Sequence, residues 1–361
     1  MRAKGLTIMA GAAVVAVAAA AWIVIRQAEQ TASSIGDQGP LFPALAQQIN
    51  DVGTLMIADA KQSFTIQRQG EDRWVLKEKA DYRVRDDAVK KAVVGIAELQ
   101  ILEPRSENPE LHQKMGVGDL DKPGSEAVRI TLKDKASKDL ASLLIGKTKA
   151  SETTMRPAEI FVRKASDTKA WLVHGRLEVK ADPMSWVDKE TFKVVRGRIM
   201  SVEIAQPDGA KAEIRRTDPA KEEFELVGLP KDKKAKVSDV NGIAGGLEFV
   251  NFDDVAKADA VDFSKAVVAT YRTYDGLVLE IRTVKKDGKP WVNFKASVDA
   301  AQVAKDLAKT DEKKILLSAE EVEKEAKGIN DRLGAWAHQV PDYRSDNFTR
   351  KPDDLIIKDA S

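Results

Sequence analysis

The chain has no cysteine. That excludes disulfide staples, thiolate nucleophiles and cysteine-ligated metals together, so packing and hydrogen bonding hold its folded parts. It also lacks an excess of charge: 58 Lys and Arg stand against 57 Asp and Glu, a formal net charge of +1. A nucleic-acid binder carries a basic balance or a concentrated basic stripe. Here the two signs interleave, as in KDKASKD (133–139) and KTDEKK (309–314), which is the pattern of a solvated surface. Histidine is scarce, and His112, His174 and His338 lie far apart without metal-ligand spacing. The catalytic motifs are missing too. Gly146-Lys147-Thr148 has Ala141 where a phosphate loop needs its first glycine, Gly242, Gly245 and Gly246 do not make G-x-G-x-x-G, and no G-x-S-x-G elbow marks a serine. Tyr271, Tyr274 and Trp291 alternate in strand-like runs and read as core. No catalytic residue, no cofactor-binding residue and no metal ligand is expected, and the chain is read as a non-enzyme that uses no cofactor.

What is present begins with one long apolar run. Residues 6–25, LTIMAGAAVVAVAAAAWIVI, contain no charge. Twenty helical residues at 1.5 Å rise span about 30 Å, the hydrocarbon thickness of a bilayer, and a helix there satisfies its own backbone. Arg2 and Lys4 precede the run and Arg26 follows it. The positive-inside rule then leaves the N-terminus in the cytoplasm and sends the bulk across. The rival is a cleaved signal peptide with an A-x-A site at Ala18-Ala19-Ala20. Against it, the apolar run continues past that site through Trp22-Ile23-Val24-Ile25. The absence of a cysteine after the run excludes a lipoprotein anchor. The expected placement is a single-pass protein of a bacterial inner membrane with a periplasmic bulk.

Residues 27–49 read as a polar linker carrying Pro40 and Pro43. After it come short alternating runs typical of antiparallel strands with one wet face, at 52–59, 64–69 and 73–78. Asp86-Asp87 then introduces a helical stretch at 88–102, with Val89, Ala92, Val93, Ile96 and Ala97 forming the apolar stripe. Strands follow at 127–134, 140–147, 159–165 and 170–175. The same order returns: strands at 198–206, 212–217 and 223–228, a stripe of Val240, Ile243, Ala244 and Leu247 behind Ser238-Asp239, then strands at 267–276, 277–284 and 290–297. Gly95-Ile96-Ala97 echoes Gly242-Ile243-Ala244, and FVRKAS (161–166) echoes VNFKAS (292–297). This is an internal duplication with a period far too long for a solenoid.

The expected fold class is α+β: an N-terminal transmembrane helix, then two duplicated, mainly antiparallel β modules, each with a short covering helix. The expected boundaries are a signal anchor at 1–26, the linker at 27–49, a first module at 50–181 and a crossover at 182–197. A second module at 198–315 and a C-terminal helix and tail at 316–361 complete the chain. Trp186 and Phe192 in the crossover read as core plugs. Ser318 with Glu321 makes a capping box for a helix running to Trp336, and 341–357 reads as polar and irregular.

Three stretches, 73–117, 170–190 and 329–356, resemble the membrane-anchored bacterial proteins of domain of unknown function 4340. The most specific is the closing W-x-x-x-x-P-x-Y pattern, here Trp336, Pro341 and Tyr343, followed by Asp353-Asp354-Leu355. His338 stands where the family often has an aromatic residue. The resemblance implies an auxiliary component of ABC-type export systems related to those of gliding motility, partnered by an ABC-2 permease and a larger membrane-anchored subunit. It carries over no catalytic residue. Trp336, Pro341 and Tyr343 are the candidate partner contact, expected to pack on a sheet and tie the tail down, with Leu333 and Trp336 on one helical face. Two functions are therefore expected: a membrane-anchored extracytoplasmic accessory subunit of an envelope ABC transporter, or a module holding a lipid or glycan between its two sheets. Neither involves nucleic acid.

Overall fold

Alternation of apolar and polar side chains puts every second strand residue on one face, and the first strand obeys it closely. Leu55 and Ile57 are fully buried while Met56 between them is 45% exposed. A computed structural model of the chain describes residues 39–71, 73–149, 158–303 and 315–357. The apolar run at 6–25 lies outside the described residues. Among the described residues no helix is long and apolar enough to cross a membrane. The chain divides into two units at Trp186/Val187, inside the segment read as a crossover.

The first unit contains β1 (Val52–Ala58), β2 (Ser63–Gln69), β3 (Arg73–Leu76), β4 (Tyr82–Arg83), α1 (Asp86–Ala97), β5 (Gln100–Pro104) and α2 (Pro109–Met115). It continues through β6 (Val128–Asp134), β7 (Asp139–Lys149), β8 (Ala158–Lys164) and β9 (Ala170–Gly175). The strands form one antiparallel sheet in the order β4-β3-β2-β1-β6-β7-β8-β9-β5. Helix α1 buries the anticipated stripe, Val89, Ala92, Val93, Ile96 and Ala97, and carries Asp86 and Asp87 in its first turn, where the helix dipole favours carboxylates. It stops at Ala97 and does not continue to 102. Gln100–Pro104 pairs instead with β9 and becomes the sheet edge. Helix α2 was not anticipated, although its signals are present. Asn108 accepts from the Glu110 N–H at 3.0 Å, Pro109 opens the helix, and Gly116 closes it at φ +74°.

The second unit contains β10 (Ile199–Ala205), β11 (Lys211–Arg215), β12 (Glu225–Leu226), α3 (Val237–Ala244), β13 (Asp254–Lys257), β14 (Val267–Thr273), β15 (Leu277–Lys286) and β16 (Lys289–Val298). Further along lie α4 (Ala319–Ile329), β17 (Trp336–Gln339) and α5 (Asp342–Thr349). Its sheet runs β12-β11-β10-β14-β15-β16-β17-β13. Once β4 is set aside, this order corresponds place for place to the first, with β17 in the position of β9 and β13 in that of β5. The segment 316–361, set apart in the sequence as helix and tail, thus supplies an interior strand. The coverings also outnumber the expected single helix: α1 and α2 in one unit, α3, α4 and α5 in the other.

Finer features agree as well. The pairing of β1 with β6 is bulged between Val52 and Thr54, and that of β10 with β14 between Ile199 and Ser201. The same spacing separates Gly95 from Gly242, and each glycine precedes the last two residues of its helix. FVRKAS begins in β8 and VNFKAS lies in β16, which occupy the same place in the two sheets, but the registers set Lys164 against Phe294 and so displace this echo by one residue. A short 3-10 turn precedes the first strand of each unit, Ile49–Asp51 and Arg196–Arg198. An arginine stands at the end of the second strand of each, Arg68 next to last in β2 and Arg216 just beyond β11. Arg68 donates to the carbonyls of Asn50 (3.3 Å) and Glu71 (2.7 Å) and lies 5.9 Å from the Trp74 ring centroid. Arg216 donates to the carbonyls of Gly197 (2.6 Å), Ile199 (3.1 Å) and Lys221 (3.0 Å) and lies 4.9 Å from that of Phe224. Each staples a strand corner by satisfying carbonyls that the sheet leaves open.

One ionic cluster is withdrawn from water. Arg198 and Asp275 are 4% and 2% exposed. Arg198 Nε and Nη2 meet the Asp275 carboxylate at 2.8 and 3.3 Å, and Nη1 and Nη2 meet that of Glu325 on α4 at 3.0 and 2.7 Å. Burial disfavours the charge on Arg198, but the hydrogen bonds of Glu325 and Asp275 outweigh it and raise its pKa. Asp275 also accepts from the Thr273 hydroxyl and from the Leu317 N–H at 3.0 Å. Removing one member leaves a buried charge uncompensated, which typically costs about 3–5 kcal/mol. Asp275→Ala should therefore destabilise the second unit by about that amount, read as a fall in the denaturant midpoint. A loss below about 1 kcal/mol would mark the cluster as marginal.

Candidate functional site

The residues singled out in the sequence, Trp336, Pro341 and Tyr343, lie on a segment stitched onto the second unit along its whole described length. Ser318 and Glu321 form the anticipated capping box: Glu321 Oε2 accepts the Ser318 N–H at 2.8 Å, and Ser318 Oγ accepts the Glu321 N–H. Helix α4 does not reach Trp336. It ends at Ile329 and passes into a π-turn, Asn330–Gly334. There the Asn330 amide imitates a strand partner, accepting the Ala296 N–H and donating to the Ala296 carbonyl, both at 2.8 Å. Asn293 on the same strand donates to the carbonyls of Gly334 (3.0 Å) and Trp336 (2.8 Å). The chain then enters the sheet as β17, pairing Val292↔His338 on one side and Val255↔His338 on the other.

Trp336 is buried, 7% exposed, with the Lys257 ammonium 3.8 Å from its ring centroid. Leu333 and Trp336 do not share a helical face, because one lies in the π-turn and the other opens a strand. His338 is fully buried between Phe252 and Phe294, at centroid distances of 4.8 and 5.6 Å. Its imidazole occupies an aromatic slot, and burial pushes its pKa down to about 3.

Pro341 leaves the strand in extended conformation and caps α5; its carbonyl accepts the N–H groups of Arg344 (2.9 Å) and Ser345 (3.1 Å). The stretch 341–357, expected to be irregular, is helical in α5 and in a 3-10 turn, Pro352–Leu355. Phe348 is fully buried against Tyr271, whose hydroxyl donates to the Ile243 carbonyl at 2.9 Å and whose pKa is raised by burial. Gln206 donates to the carbonyls of Thr349 (3.1 Å) and Arg350 (3.2 Å), and the Leu355 carbonyl accepts from the Lys236 N–H at 2.8 Å.

The candidate triad therefore separates by role. Trp336 belongs to the core and Pro341 sets the chain direction. Tyr343 stands 66% exposed, the most exposed large apolar side chain among the described residues, with only the Arg344 guanidinium 5.1 Å from its ring. Sequence reasoning missed Phe249, 54% exposed beside the Lys193 ammonium at 5.1 Å; its neighbours Leu247 and Val250 are buried, so nothing in the pattern marks it out. Trp186 and Phe192 are buried as expected, packing edge-on against Phe64 and Phe294. His112 is buried with its ring bonded to the Ser106 carbonyl at 2.9 Å. Among the described residues no three His, Asp or Glu side chains gather to hold a metal. Gly146-Lys147-Thr148 lies within β7, where a Cβ on Gly146 would meet the Met115 carbonyl.

Two outcomes follow. Trp336→Ala should cost about 3–5 kcal/mol, the range for a deleted buried aromatic, whereas Tyr343→Ala should leave the melting temperature unchanged; equal effects would reject the separation of roles. The second outcome concerns pH. Unfolded histidine titrates near pH 6.5, and folded His338 only near 3. Between those values the unfolded chain binds a proton that the folded chain refuses. The stability contributed is thus full above about pH 6.5 and is lost towards pH 3, at up to about 1.4 kcal/mol per unit. His338→Phe should flatten this slope in denaturant melts at pH 7, 5.5 and 4.5, and an unchanged slope would refute the assignment.

No curated protein matches the chain. The family described as Domain of unknown function (DUF4340) matches residues 74–272, from β3 of the first unit to β14 of the second. That is more than half of the 361 residues, and it spans the last seven strands of one sheet and the first strands of the other. The chain is a member of the domain of unknown function 4340 family.

Proposed function

We propose that this protein is a non-catalytic, membrane-anchored accessory subunit of an ABC-type envelope transport system, with residues 6–25 as its signal anchor and residues 39–357 on the periplasmic side. We further propose that its two units are copies of one duplicated module. The matching strand orders, the paired bulges and the paired arginine staples support the duplication. The uncharged run at 6–25, with its flanking Arg2, Lys4 and Arg26, supports the anchor.

The observation that carries the accessory role is the mounting of Tyr343. Its helix is fixed by the fully buried Phe348 and by Gln206, and it follows directly on a strand held on both sides. Binding energy concentrates in aromatic anchors that are rigid before the partner arrives, because little side-chain and loop freedom is then lost. The partner is a subunit of the transporter itself, either the ABC-2 permease or a second membrane-anchored chain.

Mild-detergent extraction of native membranes tests this reading. The tagged full-length chain should start at or next to Met1 and bring down a permease-type membrane protein. Tyr343→Ala should reduce that recovery several-fold with unchanged melting. A chain starting near Ala21 defeats the anchor. Recovery of the bait alone, or equal recovery by the variant, defeats the docking role.

A further inference from the structure

The two arginine staples correspond, but the space beside them does not. In the second unit Arg196 opens the 3-10 turn and reaches across the staple. Its guanidinium lies 5.7 Å from the Phe224 ring centroid, donates to Asn241 Oδ1 at 2.8 Å and also reaches the Glu222 carbonyl. Asn241 Oδ1 accepts in addition from the Phe224 N–H at 3.2 Å. Together Arg196 and Asn241 close the gap between α3 and the approach to β12. In the first unit the corresponding places hold Ile49, which opens the turn Ile49–Asp51, and Val94, which precedes Gly95 as Asn241 precedes Gly242. Neither side chain spans the gap or offers a hydrogen bond.

What is left is a groove of about 480 Å³ between α1 and the first three strands, with walls of Ile49, Val52, Trp74, Val89, Val93 and Val94. That volume falls in the range of a small-molecule site. Four charged residues also line it: Arg68, Lys90, Glu71 and Asp86. Asp86 is engaged by Arg83 at 3.1 Å. Arg68 donates to carbonyls, and neither it nor Lys90 has a carboxylate partner among the described residues. Among the described residues two cations therefore face one uncommitted carboxylate, and the complement is an anion.

We infer that this groove binds one aliphatic chain of an anionic amphiphile, with the chain laid over Trp74 between Ile49 and Val94 and the headgroup at Arg68 and Lys90. The tether agrees with that occupant, a point that rests on the anchor proposed above. Residues 26–38 span at most roughly 45 Å when fully extended, so the first unit stays close to a bilayer and its single-chain amphiphiles. In the second unit Arg196 fills the corresponding place.

Calorimetric titration of the full-length chain in amphipol with octanoate, below its micellar concentration and against empty amphipol, tests the inference. Saturable binding is expected, with 1-octanol at least tenfold weaker. Ile49→Arg combined with Val94→Asn, which copies the filler of the second unit, should weaken octanoate at least tenfold while leaving the melting temperature in place. Val94→Phe, which fills the groove by bulk alone, should do the same and stands in if the double variant does not fold. No saturable binding by the unsubstituted chain, equal binding of octanol, or unchanged affinity in a folded filled variant each overturns the site. Because octanoate is added in solution, a cleaved N-terminus would defeat the anchor without touching this result, and absent binding would leave the anchor standing.

Discussion

A sheet edge is a row of backbone donors and acceptors that must be satisfied, and in the second unit one short segment satisfies two such edges. Strand β17 lies between β16 and β13, joining strands that do not pair with each other. It contacts β16 over only two residue pairs, Trp291↔Gln339 and Val292↔His338. The remaining edge of β16 is covered by side chains that imitate a strand, Asn330 on Ala296 and Asn293 on Gly334 and Trp336. The placement of α4, the π-turn and α5 follows from that requirement, since each lies where the chain must be to deliver or receive β17. The buried Arg198–Asp275–Glu325 cluster fixes α4 at its middle.

Elements long enough to show a period were legible in the sequence. β1 alternates from Thr54 onward and β15 from Leu277 to Val284, and the stripes of α1 and α3 are buried as the 3.6-residue repeat demands. Some elements of two to five residues were not. β4, β5, β13 and β17 are too short to alternate convincingly, and their strand character comes from partners distant in sequence, such as Asp254–Lys257 against Trp336–Gln339. The same limit blurred α1, whose apolar continuation Leu99–Ile101 reads as more helix until β9 is there to pair with it. Local pattern cannot express a demand made by a distant edge.

The candidate site was legible as a motif and illegible as a geometry. Trp336, Pro341 and Tyr343 sit close in sequence, yet a strand followed by a proline-initiated helix points the first inward and the third outward. His338 was recognised as a departure from an aromatic position; its place between two phenylalanines explains why a ring of any kind suits it. The arginine staples left no trace in the sequence, because a single Arg at a strand end looks like surface charge until the carbonyls it serves are in view.

The insertion of β17 also sets an order of events in time. The sheet of the first unit draws on residues 52–175 and can close as soon as they have emerged. That of the second closes only with residues 336–339, because β13 is made well before the strand that joins it to β16, as β5 is made before β9. Until residues 336–339 arrive, β13 has no place in the sheet and β16 keeps an open edge of the kind that recruits stray strands. The intervening chain must then be brought round in one long closure, a step that slows folding and prolongs exposure of apolar surface. Each unit thus waits for the strand beside its edge, β9 in the first and β17 in the second. Loss of a few residues around Trp336 would leave behind a half-assembled sheet and not merely a shorter protein.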